Sequence, residues 1–320
     1  MNRRKLLKRS LATCALVLSR LKATPALSIL AKPDKPKFKT DLSGRRVGIN
    51  ANQEQLIELA CANGFGAVEP LLGSIKTAGR AELDSLNRKR IKANLAWSAA
   101  DLPVEFRRDE TTFRKDLRLL GPVAKSLQTL GVTRIGTWIM PCHDFLTYRA
   151  NFRLHATRLK EIALVLEQYE LRLGLEYVGT KSLRNQKRFP FLHTMQETKE
   201  LIAVVGQSNV GFVLDSWHWT MAGEKAEDIL SLTNEQVVAC DLNDAPKGIE
   251  LDSQIDHQRE LPMATGVLDT QSFLQALVDI KYDGPIRAEP FSSSLNELDD
   301  APAARATANA MQKATATVGV

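Results

Sequence analysis

Cysteine is scarce in this chain of 320 residues, and its four copies build no framework. Cys14 sits near the N-terminus, while Cys61, Cys142 and Cys240 are far apart and lack the paired spacing of a zinc site. An odd number beyond the first residues argues against a disulfide scaffold, so these three are expected to be small buried hydrophobes. No apolar run is long enough to span a bilayer; LATCALVL is short and flanked by charge. A Gly-rich phosphate fingerprint is missing after the first strand-like run, which counts against a doubly wound nucleotide-binding sheet. No internal repeat is evident. Acidic residues are absent from residues 1–24, which carry Arg3, Arg4, Lys5, Lys8, Arg9, Arg20 and Lys22. The formal charge of +6 belongs to that segment. The remaining chain is close to neutral and has no electrostatic footprint for nucleic acid.

The basic start followed by a short apolar segment is expected to be an export signal over residues 1–28, and RRKLLK resembles a twin-arginine signal for export to the periplasm of already folded protein. Residues 29–44, rich in Lys and Pro, are expected to be a linker. Beyond them, strand-like runs alternate with helical patterns. Strands are predicted at Val47–Asn50, Ala67–Leu72, Ala93–Ser98, Arg134–Ile139, Leu171–Gly179, Val210–Asp215, Gln236–Asp244 and Pro285–Phe291. Helices are predicted near Thr112–Leu130, Asn151–Glu170, Thr194–Val205 and Ala301–Val320. Eight such units fit one α/β domain, a (β/α)8 TIM barrel over residues 45–320.

In such a barrel functional side chains gather where strands end. Period-two alternation turns Leu175, Leu214 and Cys240 outward and Glu176, Asp215 and Asp241 inward, with Glu289 ending the eighth strand. Arg172 and Arg287 share the inward parity and have no assigned role. Four inward carboxylates repel unless a cation sits among them, and an all-oxygen site suits Mn²⁺ or Mg²⁺ better than Zn²⁺. The competing reading pairs each with a neighbouring helix, and Asp215 in particular with the start of the next helix. Glu69, at the end of strand two, is a candidate substrate or metal contact or a salt-bridge partner. Trp97, Trp138 and Trp217 are candidates for an apolar wall against a sugar ring, or plain packing.

The stretches NGFGAVEP, LGLEYVG, VGFVLDSWH, DLNDAP, RELPMATGVLD and YDGPIRAEPF resemble the xylose isomerase-like barrel superfamily, including its ketose 3-epimerases. The resemblance implies a metal held by Glu176, Asp215, Asp241 and Glu289, although many relatives carry His where this chain has Asp241. It also implies His218 as a hydrogen-bond donor to a substrate oxygen and Arg259 as a positively charged substrate-holding residue; Glu176 and Glu289, flanking the metal from opposite sides, are the expected proton-transfer pair. The implied activity is a metal-dependent sugar isomerase or epimerase acting through an ene-diolate. A hydrolase or lyase on the same barrel, and a non-catalytic sugar-binding protein, stand as alternatives. The superfamily's multi-zinc endonuclease branch is disfavoured by the five histidines. Homo-oligomerisation stays open.

Overall fold

The computed structural model describes residues 36–319; the expected export signal and the first part of the expected linker lie outside the described residues. Eight parallel strands form the barrel: Lys39–Leu42, Ala67–Val68, Ala96–Trp97 resumed at Ala100–Asp101, Arg134–Ile139, Arg172–Tyr177, Val210–Asp215, Val237–Leu242 and Pro285–Ala288. The sheet runs from Ala96–Trp97 through strands two, one, eight, seven, six, five and four to Ala100–Asp101. Its two edges are consecutive pieces of one stretch of chain, so the interrupted third strand closes the cylinder. Ser98 N donates to Val68 O on one side, and Leu102 N donates to Gly136 O on the other.

The first strand corrects the sequence reading. It lies at Lys39–Leu42, inside the expected linker, while Gly44–Val47 is a 3₁₀ turn rather than part of a strand. Charged Lys39 and Asp41 conceal the alternation, because Asp41 is an inward residue whose carboxylate accepts hydrogen bonds from Ser43 and Ser98. Val47 and Ile49 are buried in the core instead. The other seven strands fall within or beside their expected ranges. Cys142 and Cys240 are buried as expected, but Cys61 is exposed.

Helices begin where a side chain takes the orphan amides of the first turn. Asn52 and Gln55 cap Gln53–Ala62 reciprocally, and Asp109, Thr194 and Asp269 accept from Thr112 N, Glu197 N and Ser272 N. Gly131 (φ +78°) and Gly206 (φ +66°) end Glu110–Leu130 and Met195–Val205 in the left-handed conformation that glycine adopts without strain. No helix among the described residues is long and apolar enough to cross a membrane.

Alternation sorts the strands as expected. Leu173, Leu175, Phe212, Leu214, Cys240 and Ile286 join the core under the helices. Inside the cylinder the residues are small: Val213, Ala239 and Ala99 form a separate cluster. A Cβ on Gly174 would approach Val213 Cγ2 to 2.7 Å. Arg134 and Arg172 close the N-terminal end by donating to carbonyls of strand seven, which accounts for the inward parity of Arg172. Gly211 permits strand six to lie against the chain entering strand seven, where a Cβ would collide with the Gln236 carbonyl. Backbone cannot yield as a flexible side chain can. Gly211→Ala is therefore expected to destabilise the barrel by roughly 1–3 kcal/mol, read from the urea midpoint.

Candidate active site

Strands five to eight deliver Glu176, Asp215, Asp241 and Glu289 to one cup at their C-terminal ends. Register places Asp241 level with Asp215 on one side and Arg287 on the other. One carboxylate oxygen from each of the four acids lies within 4.8 Å of the others, and Glu176, Asp215 and His218 form a second set meeting the same test. The convergence expected from sequence is therefore present. A cavity of about 460 Å³ opens above it, lined by Glu176, Glu289, Arg46, Arg287, Trp138 and Phe291 among others.

Three arginines enter the same space. Arg259 reaches it because Asp244 organises the loop after strand seven. The Asp244 side chain accepts from the amides of Thr265, Gly266, Val267 and Leu268, and its backbone pairs with that of Glu260. Arg259 Nη1 then donates to Asp215 Oδ2 at 2.8 Å and to Glu289 Oε2 at 3.3 Å, with its guanidinium between the Trp217 and Phe291 rings. Arg46, from the turn after strand one, donates Nε to Glu289 Oε1 at 2.9 Å, Nη1 to Glu69 and Nη2 to Asp101. Arg287 pairs Nε and Nη2 with the two oxygens of Asp241.

These contacts set the charge states. Burial alone would raise the pKa of Asp215, but Arg259, with His218, Asn243 and the Trp217 amide, brings it below the ordinary carboxylate value. Asp215 also caps the following helix through Trp217 N at 2.6 Å, as the capping reading of this residue expected. Burial pushes Glu289 up to about 7, with Asp241 adding to the rise and Arg46 and Arg259 opposing it. Burial, with the charges of Glu289, Asp215 and Asp241, pushes Glu176 well above its usual range. Its Oε1 is buried and, among the described residues, has no hydrogen-bond partner. Burial lowers the His218 pKa. Its Nε2 lies 3.2 Å from Arg259 Nη2, and since arginine can only donate, Nε2 is an acceptor. The other ring nitrogen, Nδ1, is buried and has no hydrogen-bond partner among the described residues.

The donor set fits a hard divalent cation. It is all oxygen, largely buried, of one sign, and contains one carboxylate oxygen without a hydrogen bond among the described residues. Glu176, Asp215, Asp241 and Glu289 would hold the ion; Asp241 has both oxygens on Arg287, as Glu289 has its two on Arg46 and Arg259.

Of the remaining expected residues, Glu69 is buried and tied to the cup through Arg46, the salt-bridge reading. Trp97 is not brought to the cup. It faces the other end of the barrel, lining a cavity with Lys39, Arg90 and Arg134, because Ser98 rather than Trp97 takes the inward position. Trp138 lines the cup, and Trp217 is fully buried with Nε1 donating to Thr180 Oγ1. Sequence reasoning missed Arg46, hidden by the misplaced first strand, and Asp256, a loop residue that accepts from Arg259 Nη2 and Thr180. Inward parity was the available signal for Arg287.

Removing one cation from a buried ion cluster strands its partners. Arg259→Met is expected to cost about 3–5 kcal/mol of stability in the presence of a chelator, measured by urea denaturation. Added Mn²⁺ should restore part of the loss by replacing the missing positive charge beside Asp215 and Glu289.

The xylose isomerase-like TIM barrel family matches residues 57–314. Inosose isomerase of Bacillus velezensis is 23% identical over 247 residues, covering 76% of this chain and 84% of that protein. A xylose isomerase domain protein from Alicyclobacillus acidocaldarius superposes with a TM-score of 0.77 at 26% identity, over 88% of this chain and all of the other. The IOLI protein, solved with a bound zinc atom, gives 0.73 at 20% identity, over 87% of this chain and 98% of the other. D-psicose 3-epimerase from Clostridium cellulolyticum H10 gives 0.66 at 14% identity, over 89% of this chain and 97% of the other. With the family match spanning most of the barrel, the chain belongs to the xylose isomerase-like TIM barrel family.

Proposed function

We propose that this protein is a divalent-metal-dependent isomerase or epimerase of a sugar, moving a proton on a carbon adjacent to a carbonyl by way of an ene-diolate. The observation that carries this reading is the meeting of Glu176 and Glu289 at one cavity, with the buried Oε1 of Glu176 free of any hydrogen bond among the described residues and 3.6 Å from His218 Nε2. The sugar-isomerising names of inosose isomerase and D-psicose 3-epimerase support the same class.

The ion, Mn²⁺ or Mg²⁺ by the hardness of its ligands, supplies Lewis-acid polarisation of the substrate carbonyl when bound. The protein's own groups do the rest. Glu176 and Glu289 come from strands five and eight and present carboxylates to the substrate from different sides. One removes the proton alpha to the carbonyl, and the other returns a proton to the opposite face or the neighbouring carbon. In an epimerisation the two exchange roles with the direction of reaction. Asp215 has Oδ1 committed to Trp217 N and Asn243, while Oδ2 faces the cup and accepts from Arg259. Arg259 holds Asp215 and Glu289 at fixed separation. Trp138 and Phe291 give the cavity apolar surface for the sugar's carbon face.

Incubation with a panel of ketoses in D₂O tests the reading. Deuterium at the alpha carbon without bond cleavage is expected; cleavage products would indicate a lyase or hydrolase, and binding without exchange a sugar-binding protein. Glu289→Gln and Glu176→Gln should each abolish exchange, and metal removal should lower it with recovery on adding Mn²⁺. Unchanged exchange in either variant removes that residue from the mechanism. We further propose export through the twin-arginine route, since Arg3 and Arg4 head a basic and then apolar start. Arg3→Lys with Arg4→Lys should hold the protein in the cytoplasm, read by cell fractionation.

A further inference from the structure

The positive groups of the cup differ in what they leave free. Arg46 commits Nε, Nη1 and Nη2 to Glu289, Glu69 and Asp101. Arg259 commits Nε to Asp256 O, Nη1 to Asp215 and Glu289, and Nη2 to Asp256 and His218. Arg287 commits only Nε and Nη2, both to Asp241. Its Nη1 is buried and, among the described residues, has no hydrogen-bond partner, in a residue only 3% exposed. Nearby carboxylates do not claim it, for Asp41 Oδ1 and Glu69 Oε2 are themselves partnerless. Arg287 lies two residues before Glu289 on the inward face of strand eight and lines the same cavity as Glu176 and Glu289. A buried guanidinium N–H without an acceptor is costly, and a position at which an oxygen arrives during turnover resolves that cost.

We propose that Arg287 is a catalytic residue of the isomerisation set out above, on which this inference rests: Nη1 donates a hydrogen bond to the substrate oxygen on which negative charge develops in the ene-diolate. Asp241 is then the anchor of Arg287 more than a ligand of the ion. Two parallel contacts fix the guanidinium plane and so the direction of the third arm. A donor held in place before reaction, in a site poor in water, stabilises developing charge without reorganising. Because Arg287 and Asp241 form a neutral pair, the donor adds no net charge to the carboxylates that bind the divalent ion.

Arg287→Lys keeps a positive charge against Asp241 but lacks a planar third arm. It is expected to lower kcat for deuterium exchange by about 10²-fold with KM little changed. Mn²⁺ affinity, read by calorimetry on the unreacted protein, should stay at the wild-type value. The double variant Asp241→Asn, Arg287→Met removes the pair without leaving a buried charge alone. It should also fold and bind Mn²⁺ while losing exchange. Wild-type exchange in Arg287→Lys overturns the proposal. So does parallel loss of Mn²⁺ affinity and exchange in both variants, which would make the pair structural support for the ion site. If the unmodified protein exchanges no ketose proton, the underlying isomerase reading fails and takes this one with it. Exchange in the unmodified protein with an active Arg287→Lys isolates the failure to Arg287.

Discussion

Mutual repulsion of carboxylates taken out of water governs the upper half of this barrel. Two unit charges about 4 Å apart interact by about 4 kcal/mol at an effective dielectric of 20. Oxygens of Glu176, Asp215, Asp241 and Glu289 all lie within 4.8 Å of one another, so the four cannot all stay ionised alone. Arginines answer three of them. Arg259 arrives on a long loop, Arg46 on a 3₁₀ turn, and Arg287 on the strand beside that of Asp241. The contrast is sharpest between Asp215 and Glu176. Asp215, fully buried and in contact with Arg259, sits below the usual carboxylate range, whereas Glu176, without a direct arginine contact, sits well above it.

The loops are built around that neutralisation. Asp244 gathers four amides of the segment that follows strand seven, and this fixes the backbone from which Arg259 projects. Asp256 holds the same guanidinium from the other side and reaches Thr180 after strand five, which in turn accepts from Trp217 after strand six. Three loops are thereby linked through polar contacts at the cup's rim. Glu176 stands beside this linkage, its Oε1 3.6 Å from His218 Nε2 and without a hydrogen-bond partner among the described residues.

How much of this was legible follows from what each residue faces. The apolar outward faces of strands five, six and seven announced themselves, and alternation then located Glu176, Asp215 and Asp241 correctly. The first strand was lost because its inward residue is an aspartate satisfied by Ser43 and Ser98, partners that no pattern within KTDL reveals. Arg46 was lost with it. Trp97 was misplaced because strand three is interrupted at Ser98 and Ala99, and a serine takes the inward position that the bulkier residue was given. Asp256 depends on loop conformation, which periodicity does not encode. Charge pairing across strands was likewise invisible: the sequence supplied four acids and several arginines but no means of matching them.

That matching changes what Asp241 does. From sequence it is one more anion at the ion site, making the site more negative than a histidine there would. In the structure both its oxygens are taken by Arg287 in side-by-side contact, the geometry for which a guanidinium is suited and an ammonium is not. Desolvating such a pair costs less than desolvating either charge alone, since each removes the other's need for water. With Asp241 paired, Glu176 is the one acid of the four without a direct arginine contact among the described residues, since Asp215 contacts Arg259 and Glu289 contacts both Arg46 and Arg259. The negative charge of the cup is therefore smaller than a bare count of four acids suggests. In this barrel the strand-eight arginine, by neutralising its neighbour, sets the electrostatics of a site whose acidic residues the sequence alone overstates.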